Sequence, residues 1–317
     1  MKIVRRIIII AMLFFSIVSL AGCNKNNENN KLTIISTSFP GYDLARAIIK
    51  NNSNIEVNML LKPGAELHDF EPTPQDIKNI KNSDIFIYVG GDSDAWIEDI
   101  LDDIDTDKTK IIKLMDLVDT VEEEHVEGME ENHDEDEEEE VEYDEHVWTS
   151  PINAITITDK LKEKIIKIDT ANKDLYEKNA SNYINELNII DKKIRDLVDN
   201  SKKKEIIFGD RFPLRYFVME YNLNYYAAFP GCSEATEASA KTVSFLVNKV
   251  KQDKIPVVFK IELSSGKIAE TIAKETGAKV LEYNTAHNIT QQDFDKGVTI
   301  VDIMNNNIKV LKEALVS

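Results

Sequence analysis

Short apolar runs alternate with helical patterns from Lys31 onward. Seven runs of mostly β-branched, aromatic and other apolar residues predict strands: KLTIISTS, IEVNMLL, DIFIYVG, EIIFGD, YYAAF, PVVFKIE and KVLEY. KIIKLMDL is a further apolar run in the same alternation. Between them, segments such as YDLARAIIKN and GKIAETIAKETG carry apolar residues three and four positions apart, which predicts helices. This alternation is typical of βαβ units and therefore predicts mostly parallel sheets with flanking helices.

One helical pattern is much longer than the others. Residues 170–201 contain no Gly or Pro, and their apolar positions recur at intervals of three, four and seven: Tyr176, Tyr183, Leu187, Ile190, Ile194 and Leu197. About thirty helical residues span roughly 45 Å, which is longer than one small domain needs. The sequence thus predicts two α/β lobes, residues 31–169 and 202–317, bridged by one long rigid helix.

Three further helices are predicted downstream of the first strands. Ser150 followed by Pro151 is a favourable helix start, with Ser as the cap and Pro in the first turn. Residues 236–252 have a helical pattern, and so does the C-terminal segment, whose apolar positions share one face: Val301, Met304, Ile308, Leu311 and Leu315.

The N-terminus has the features of an export signal. Basic residues precede an apolar stretch that is short for a membrane span, and the stretch ends in Leu-Ala-Gly-Cys. This pattern resembles a bacterial lipoprotein signal. It predicts a signal peptide over residues 1–22, a lipid on the thiol of Cys23, and a flexible polar tether over residues 23–30.

The negative charge is concentrated in one segment. The formal net charge is -19, and residues 121–145 contain 16 Asp or Glu with no Lys or Arg. The rest of the chain is nearly neutral and shows no basic face, which argues against nucleic acid as a partner. Uncompensated like charges repel, so residues 121–142 are predicted to form a mobile insertion.

Histidine and cysteine are scarce. Two of the five histidines, His125 and His133, lie in the acidic segment, whereas His68, His146 and His287 lie at junctions between predicted elements. Ligands of α/β sheets bind at such junctions beyond the strand ends, so these three could share a metal site, although a single loop histidine is usually a surface residue. There are only two cysteines, and with Cys23 acylated, Cys232 is interpreted as a plain thiol for which a ligand role is less favoured.

Four segments resemble one known family. PGAELHDFEPTPQDI, DEHVWTSPINA, NSDIFIYVGGDSDAWIEDIL and TSFPGYDLARAI are similar to motifs of the zinc and manganese solute-binding lipoproteins of ABC transporters, the cluster A-I family. The similarity extends from about Leu32 to the C-terminus. It implies two α/β lobes bridged by a long helix, which agrees with the fold predicted from the residue patterns.

The resemblance implies four metal ligands, two from each lobe: His68, His146, Asp210 and His287. For Asp210 the spacing to Tyr216 is one residue longer than the family pattern. The fourth family position falls on Asn284, but imidazole is the stronger zinc donor, so His287 is expected to bind and Asn284 is the alternative. Three imidazoles and one carboxylate favour Zn²⁺, with Mn²⁺ as the second choice.

The resemblance further implies that the chain captures the metal and delivers it to an ABC permease with its ATPase. A monomer is expected, anchored by lipid to the outer face of the cytoplasmic membrane, with His125 and His133 collecting metal transiently. The alternatives are a manganese-binding counterpart, a surface adhesin, and a secreted zinc hydrolase. The hydrolase is disfavoured because the chain has no H-E-x-x-H motif.

Overall fold

The computed structural model describes residues 31–66, 70–129, 142–233 and 237–316. The predicted signal peptide, Cys23 and the tether lie outside these ranges, as do His68 and His133. From Leu32 onward the described residues form one compact unit. None of the helices within these ranges is both long and apolar enough to cross a membrane.

Two four-stranded parallel sheets form the framework. The first sheet has the order β2-β1-β3-β4 and the second has the order β6-β5-β7-β8. In each sheet the strand order changes direction at one point. This point lies between β1 and β3 in the first sheet and between β5 and β7 in the second. The strands are β1 (Leu32–Ser36), β2 (Ile55–Met59), β3 (Ile85–Tyr88), β4 (Lys110–Lys113), β5 (Glu205–Phe212), β6 (Asn224–Pro230), β7 (Val257–Ile261) and β8 (Lys279–Tyr283). All seven predicted strands are present, the apolar run KIIKLMDL contains β4, and the predicted two-lobe α/β fold is confirmed.

Helices flank both sheets. In the first lobe they are α1 (Phe39–Ile49), α2 (Pro74–Lys81), α3 (Glu98–Leu101) and α4 (Pro151–Ile168). The long helix is α5 (Lys173–Asp199), and the second lobe has α6 (Arg215–Tyr221), α7 (Ala240–Asp253), α8 (Lys267–Thr276), α9 (Gln291–Asp295) and α10 (Ile300–Val316). Short 3₁₀ turns cover Asp92–Ile97 and Val147–Thr149, among others.

The long helix joins the two lobes through one hydrophobic core. Helix α5 has 27 residues, about 40 Å, and packs against α1 and α4 of the first lobe and against α6 and α10 of the second. Its buried face repeats at helical spacing: Tyr176, Ala180, Tyr183, Leu187, Ile190, Ile194 and Val198. The core around this face is continuous from Ile34 and Ile87 in the first sheet to Phe208 and Phe259 in the second. The lobes therefore share apolar contacts and are not connected by a flexible linker.

A buried carboxylate reinforces the junction of the lobes. Asp43 of α1 accepts hydrogen bonds from the Tyr183 hydroxyl (2.6 Å) and from the backbone N–H of Ile300 (2.9 Å). Ile300 is the first residue of α10, so a first-lobe side chain satisfies the N-terminus of a second-lobe helix. Arg46 contacts Asp43 at 2.5 Å and the carbonyl of Val298 at 2.9 Å. The junction thus depends on a buried polar contact as well as on apolar packing.

Two helices begin at positions other than those predicted. Helix α1 begins at Phe39, three residues before the apolar pattern suggested, with Pro40 in its first turn. Helix α7 begins at Ala240 rather than at residue 236, because the hydroxyl of Ser239 accepts a hydrogen bond from the backbone N–H of Thr242 and caps the helix there.

The prediction that residues 121–142 are mobile is wrong for the described residues at both ends of this segment. An antiparallel bridge joins Glu122 to Tyr143, and the N–H of Asp144 donates to the carbonyl of Val121 (3.0 Å). The side chain of Glu124 pairs with Arg215 at 2.8 Å. The repulsion that motivated the prediction is offset here because the carboxylates have cationic and N–H partners in the second lobe.

Replacing Asp43 with Ala should destabilise the fold by about 3 kcal/mol, because Tyr183 and the N-terminus of α10 lose a buried acceptor. Urea unfolding followed by circular dichroism measures the change. Asp103→Ala is the matched control, since Asp103 forms a mostly exposed ion pair with Lys81 and should matter little. Equal midpoints for the two variants would contradict the role given to Asp43.

Candidate metal centre

His146 is held rigidly just before α4. Its backbone N–H donates to the Asp144 carboxylate (2.7 Å), and its carbonyl accepts from the hydroxyl of Thr149 (2.8 Å). The following residues form a 3₁₀ turn, and the hydroxyl of Ser150 caps α4. The imidazole is fully buried. The predicted helix start therefore also fixes the position of a histidine.

Asp144 orients the imidazole as well as the backbone. Its carboxylate lies 3.1 Å from Nδ1 of His146, which places the proton on Nδ1 and makes Nε2 the atom that can bind a metal. Burial alone would lower the pKa of His146, but the carboxylates of Asp144, Glu145 and Glu123 outweigh it, so the pKa is raised. The histidine thus lies in a strongly negative surrounding that favours a cation.

His287 is positioned by an equivalent arrangement in the second lobe. It follows β8, and its backbone N–H donates to the carboxylate of Glu262 at the end of β7 (3.0 Å). Glu262 also accepts from the N–H of Thr285 (2.7 Å), and the Thr285 hydroxyl lies 2.5 Å from Nδ1 of His287. Burial raises the pKa of Glu262 to about 7. In each histidine, Nδ1 therefore faces an oxygen atom whose position is fixed by the surrounding structure.

The two imidazoles meet, although 141 positions separate them in the sequence. The ring centroids of His146 and His287 are 4.5 Å apart with an interplanar angle of 65°. Trp148 lies about equally far from both rings, at 5.5 and 5.4 Å, and its indole N–H donates to the carbonyl of Thr285. Trp148 thus packs against both imidazoles and links the two histidine loops through its hydrogen bond to Thr285.

His287 also borders a cleft that reaches both lobes. The cleft is lined by Ala65 and Glu66 of the first lobe and by Arg211, Glu262 and His287 of the second, among others. Arg211 lies 3.6 Å from Glu66. Because Glu66 directly precedes the undescribed residues 67–69, the described part of the His68 segment leads toward this cleft.

Asp210 and Asn284 are both engaged with backbone N–H groups. The buried carboxylate of Asp210 accepts from Arg211 (3.0 Å) and from Ile261 (3.3 Å). The side-chain oxygen of Asn284 accepts from the N–H of Ala286 (2.9 Å), which closes the turn before His287. Within the described ranges, Asp210 is outside the group of potential ligand atoms around His146. Its assignment as a ligand, like those of His146 and His287, stays a prediction.

Sequence reasoning did not place Cys232 next to His146. Among the described residues, Glu145, His146 and Cys232 each offer a potential ligand atom within 4.8 Å of the others. Cys232 follows β6 and Gly231, whose N–H donates to Glu123 (2.6 Å). The signal that could have found it is topological, because Cys232 lies beyond the carboxyl end of a parallel strand, as His287 does.

Buried carboxylates surround this group. Burial raises the pKa of Glu145 to about 7, although its carboxylate accepts hydrogen bonds from the N–H and hydroxyl of Ser93. Burial, with a further contribution from Asp144, raises the pKa of Glu123 to about 7. Burial and these carboxylates raise the pKa of the Cys232 thiol well above its ordinary value. A cation in this position would relieve the repulsion among these groups.

The histidines of the acidic segment lie apart from this group or outside the described residues. His125 is exposed on the described part of the segment, and His133 is outside the described residues. Their predicted role as transient metal collectors stays a prediction.

Comparison with known proteins supports a common architecture. The high-affinity zinc uptake system protein ZnuA of Bacillus subtilis (strain 168) is 33% identical over 293 residues, which cover 92% of this chain and 89% of that protein. The zinc-binding lipoprotein AdcA of Streptococcus pneumoniae is 29% identical over 310 residues. That match covers 96% of this chain but 60% of AdcA, so the chain spans less than two thirds of that relative.

Solved structures agree with the fold. The Zn(II)-bound ZnuA-like domain of Streptococcus pneumoniae AdcA superposes with a TM-score of 0.73 at 27% identity, covering 90% of this chain and 100% of that one. The metal-dependent lipoprotein YcdH of Bacillus subtilis gives a TM-score of 0.75 at 30% identity with the same coverage.

The chain has two parallel-sheet lobes joined by one long helix, and histidines from both halves meet beyond the strand ends. These features define a solute-binding protein of the metal-binding type. More specifically, the chain belongs to the ZnuA family, described as zinc-uptake complex component A periplasmic, whose model matches residues 34–314. As a member of a solute-binding family, the chain is not an enzyme.

Asp94, in the 3₁₀ turn Asp92–Ile97 of the first lobe, gives the stability of the fold a pH dependence. Its carboxylate accepts from the N–H groups of Val89 (2.7 Å) and Gly90 (3.0 Å), and burial raises its pKa from 3.8 to about 6. Because the folded state holds this proton more tightly than the unfolded state, the stabilisation is complete below pH 3.8 and is lost as the pH rises through 6. The loss is at most about 3 kcal/mol.

Asp94→Asn should therefore remove part of the fall in stability between pH 4 and pH 7 while keeping an acceptor for the two N–H groups. Urea midpoints of chelator-treated protein across this range measure the effect. Asp92→Asn is the matched control because Asp92 is exposed two residues earlier. Parallel pH profiles for the parent and Asp94→Asn would refute this prediction.

Proposed function

We propose that this chain captures Zn²⁺ outside the cytoplasm and delivers it to an ABC permease with its ATPase. The observation that carries the proposal is the meeting of two buried imidazoles, His146 and His287, from distant parts of the chain. Nitrogen donors of this kind suit Zn²⁺ better than Mn²⁺. The relatives named as zinc-uptake and zinc-binding proteins support the same choice.

The proposed ligand set begins with three imidazoles. His146 and His287 would bind through Nε2, since Asp144 and Thr285 lie beside their Nδ1 atoms. His68, predicted from its motif, would complete the nitrogen donors from the segment that follows Glu66. Asp210 is the fourth donor predicted from the sequence. A site closed by protein ligands stores the ion without leaving a position for a reactive water.

Release of the ion would require local movement. The continuous core and the contact of Asp43 with α10 hold the two lobes together, so a wide hinge opening would break many buried contacts. Shifts of the loops after β6 and β8, and of the segment after Ala65, would expose the ion at lower cost. We propose that metal exchange with the permease occurs through these loops.

The proposed location is the outer face of the cytoplasmic membrane. The lipoprotein-type signal and the relative named as a zinc-binding lipoprotein support a lipid on Cys23. A lipid anchor would keep a monomeric binding protein close to its permease, so that each captured ion is released within reach of the transporter.

His146→Ala and His287→Ala should each weaken zinc binding by more than about 100-fold, because each removes a direct donor. Isothermal titration of metal-free protein measures the affinity, and elemental analysis of protein purified without added metal identifies the ion. His125→Ala is the matched control, since it replaces an exposed histidine of the described chain and should keep the tight site. Parent-like affinity in both site variants would exclude this centre.

Asp144→Asn should weaken zinc binding by roughly 10-fold, because the neutral amide still accepts from the His146 backbone but no longer fixes the ring through its charge. The affinity is measured by competition with a chromophoric chelator. Urea unfolding of the metal-free protein checks that the fold is intact. An unchanged affinity in a folded variant would show that Asp144 does not support the imidazole.

A further inference from the structure

We infer that the thiolate of Cys232 is a direct zinc ligand in this chain, so that the site combines imidazole nitrogen with sulfur. The inference rests on the proposed function of zinc capture and specifies its donor set. Cys232 would then take the fourth position that the sequence motif assigned to Asp210.

The main support is where the backbone places Cys232. The ligand atoms of Cys232, His146 and Glu145 lie within 4.8 Å of one another, and the ring of His287 packs edge-to-face against that of His146. Nitrogen at about 2.0 Å and sulfur at about 2.3 Å from a tetrahedral zinc ion would be roughly 3.5 Å apart. Cys232 and His146 have ligand atoms at most 4.8 Å apart, so small side-chain rotations are enough to bring these two donors onto one ion.

Gly231 makes the close approach of this loop possible. A Cβ at position 231 would lie 3.1 Å from Cε1 of His146 and 3.1 Å from the carbonyl oxygen of Phe212. Real Cβ contacts are seldom this tight, so a side chain here would push the loop away from the histidine. The N–H of Gly231 is in addition fixed by Glu123. The backbone is thus arranged to hold Cys232 against His146.

The neighbouring carboxylates already have other partners. Glu145 accepts from the N–H and hydroxyl of Ser93, and both oxygens of Asp210 accept from backbone N–H groups. Zinc bound through either carboxylate would have to share oxygens that already hold strand ends and loops in place. The thiol can bind by exchanging its S–H bond for a Zn–S bond, with the proton passing to solvent.

A sulfur ligand would also increase the selectivity of the site for Zn²⁺ over Mn²⁺. Thiolate is a soft donor that favours Zn²⁺, whereas Mn²⁺ prefers carboxylate and water oxygen. A site of imidazoles and one thiolate would therefore reject Mn²⁺ more strongly than the imidazole–carboxylate set predicted from the sequence. It would also be sensitive to thiol oxidation, which a carboxylate site is not.

Cobalt(II) spectroscopy tests the sulfur bond directly. The full chain carrying Cys23→Ser, purified in mild detergent, has Cys232 as its single thiol. Titration with Co²⁺ should give a near-ultraviolet thiolate-to-cobalt charge-transfer band that one equivalent of Zn²⁺ removes. The band should be present in both the parent and Cys23→Ser and absent from Cys232→Ser. A cobalt complex without this band in the Cys23→Ser protein would overturn the inference.

Zinc affinity and thiol protection give an independent readout. Cys232→Ser should weaken zinc binding at least about 10-fold and reduce the preference for Zn²⁺ over Mn²⁺. Bound zinc should slow alkylation of Cys232 by iodoacetamide in the Cys23→Ser chain, a measurement that needs no change at position 232 and so remains decisive if Cys232→Ser fails to fold. Unprotected Cys232 in zinc-saturated protein would contradict the inference.

The outcomes separate the two proposals. If the parent binds no zinc, the proposed function fails. A second outcome is that the parent binds zinc tightly, Cys232 is unprotected, and Asp210→Asn abolishes binding. Zinc capture then stands, but the carboxylate is the fourth ligand and the assignment of Cys232 is overturned.

Discussion

The burial of one face of α5 is the constraint on which the rest of the structure depends. Seven side chains of this helix enter a core that extends from the first sheet to the second. Because protein interiors are close-packed, the carboxyl ends of both sheets are held in a fixed relation. His146 comes from one half of the chain and His287 from the other, and the core that fixes both halves keeps their rings 4.5 Å apart.

The two histidines are supported in the same way although their sequences differ. Asp144 contacts both the backbone N–H and Nδ1 of His146. Glu262 fixes the backbone of His287 and shares Thr285 with its ring. A buried carboxylate thus determines the orientation of each imidazole before any ion arrives. Such preorganisation reduces the ordering cost of binding, and the surrounding negative charge adds attraction for a cation.

Local patterns were sufficient to predict seven of the eight strands and the long helix, because the strands are short runs rich in β-branched and aromatic residues and α5 repeats its buried residues at helical spacing. His146 and His287 could be assigned to one site because each lies at a junction between predicted elements, where ligands of α/β sheets bind. The proximity of Cys232 to His146 could not, since it depends on the path of the loop after β6. The anchoring of residues 121–129 was also missed, because Arg215 and Gly231, which partner Glu124 and Glu123, are about a hundred positions away.

The bridge between Glu122 and Tyr143, with the hydrogen bonds beside it, brings the two ends of the acidic insertion together. Asp144, which orients His146, follows directly after these paired ends. Since loop-closure entropy grows only with the logarithm of length, residues can be added or lost between the paired ends at little cost in stability. The insertion can therefore vary in length and composition between species, or accept an engineered reporter peptide, without a change in the geometry around His146.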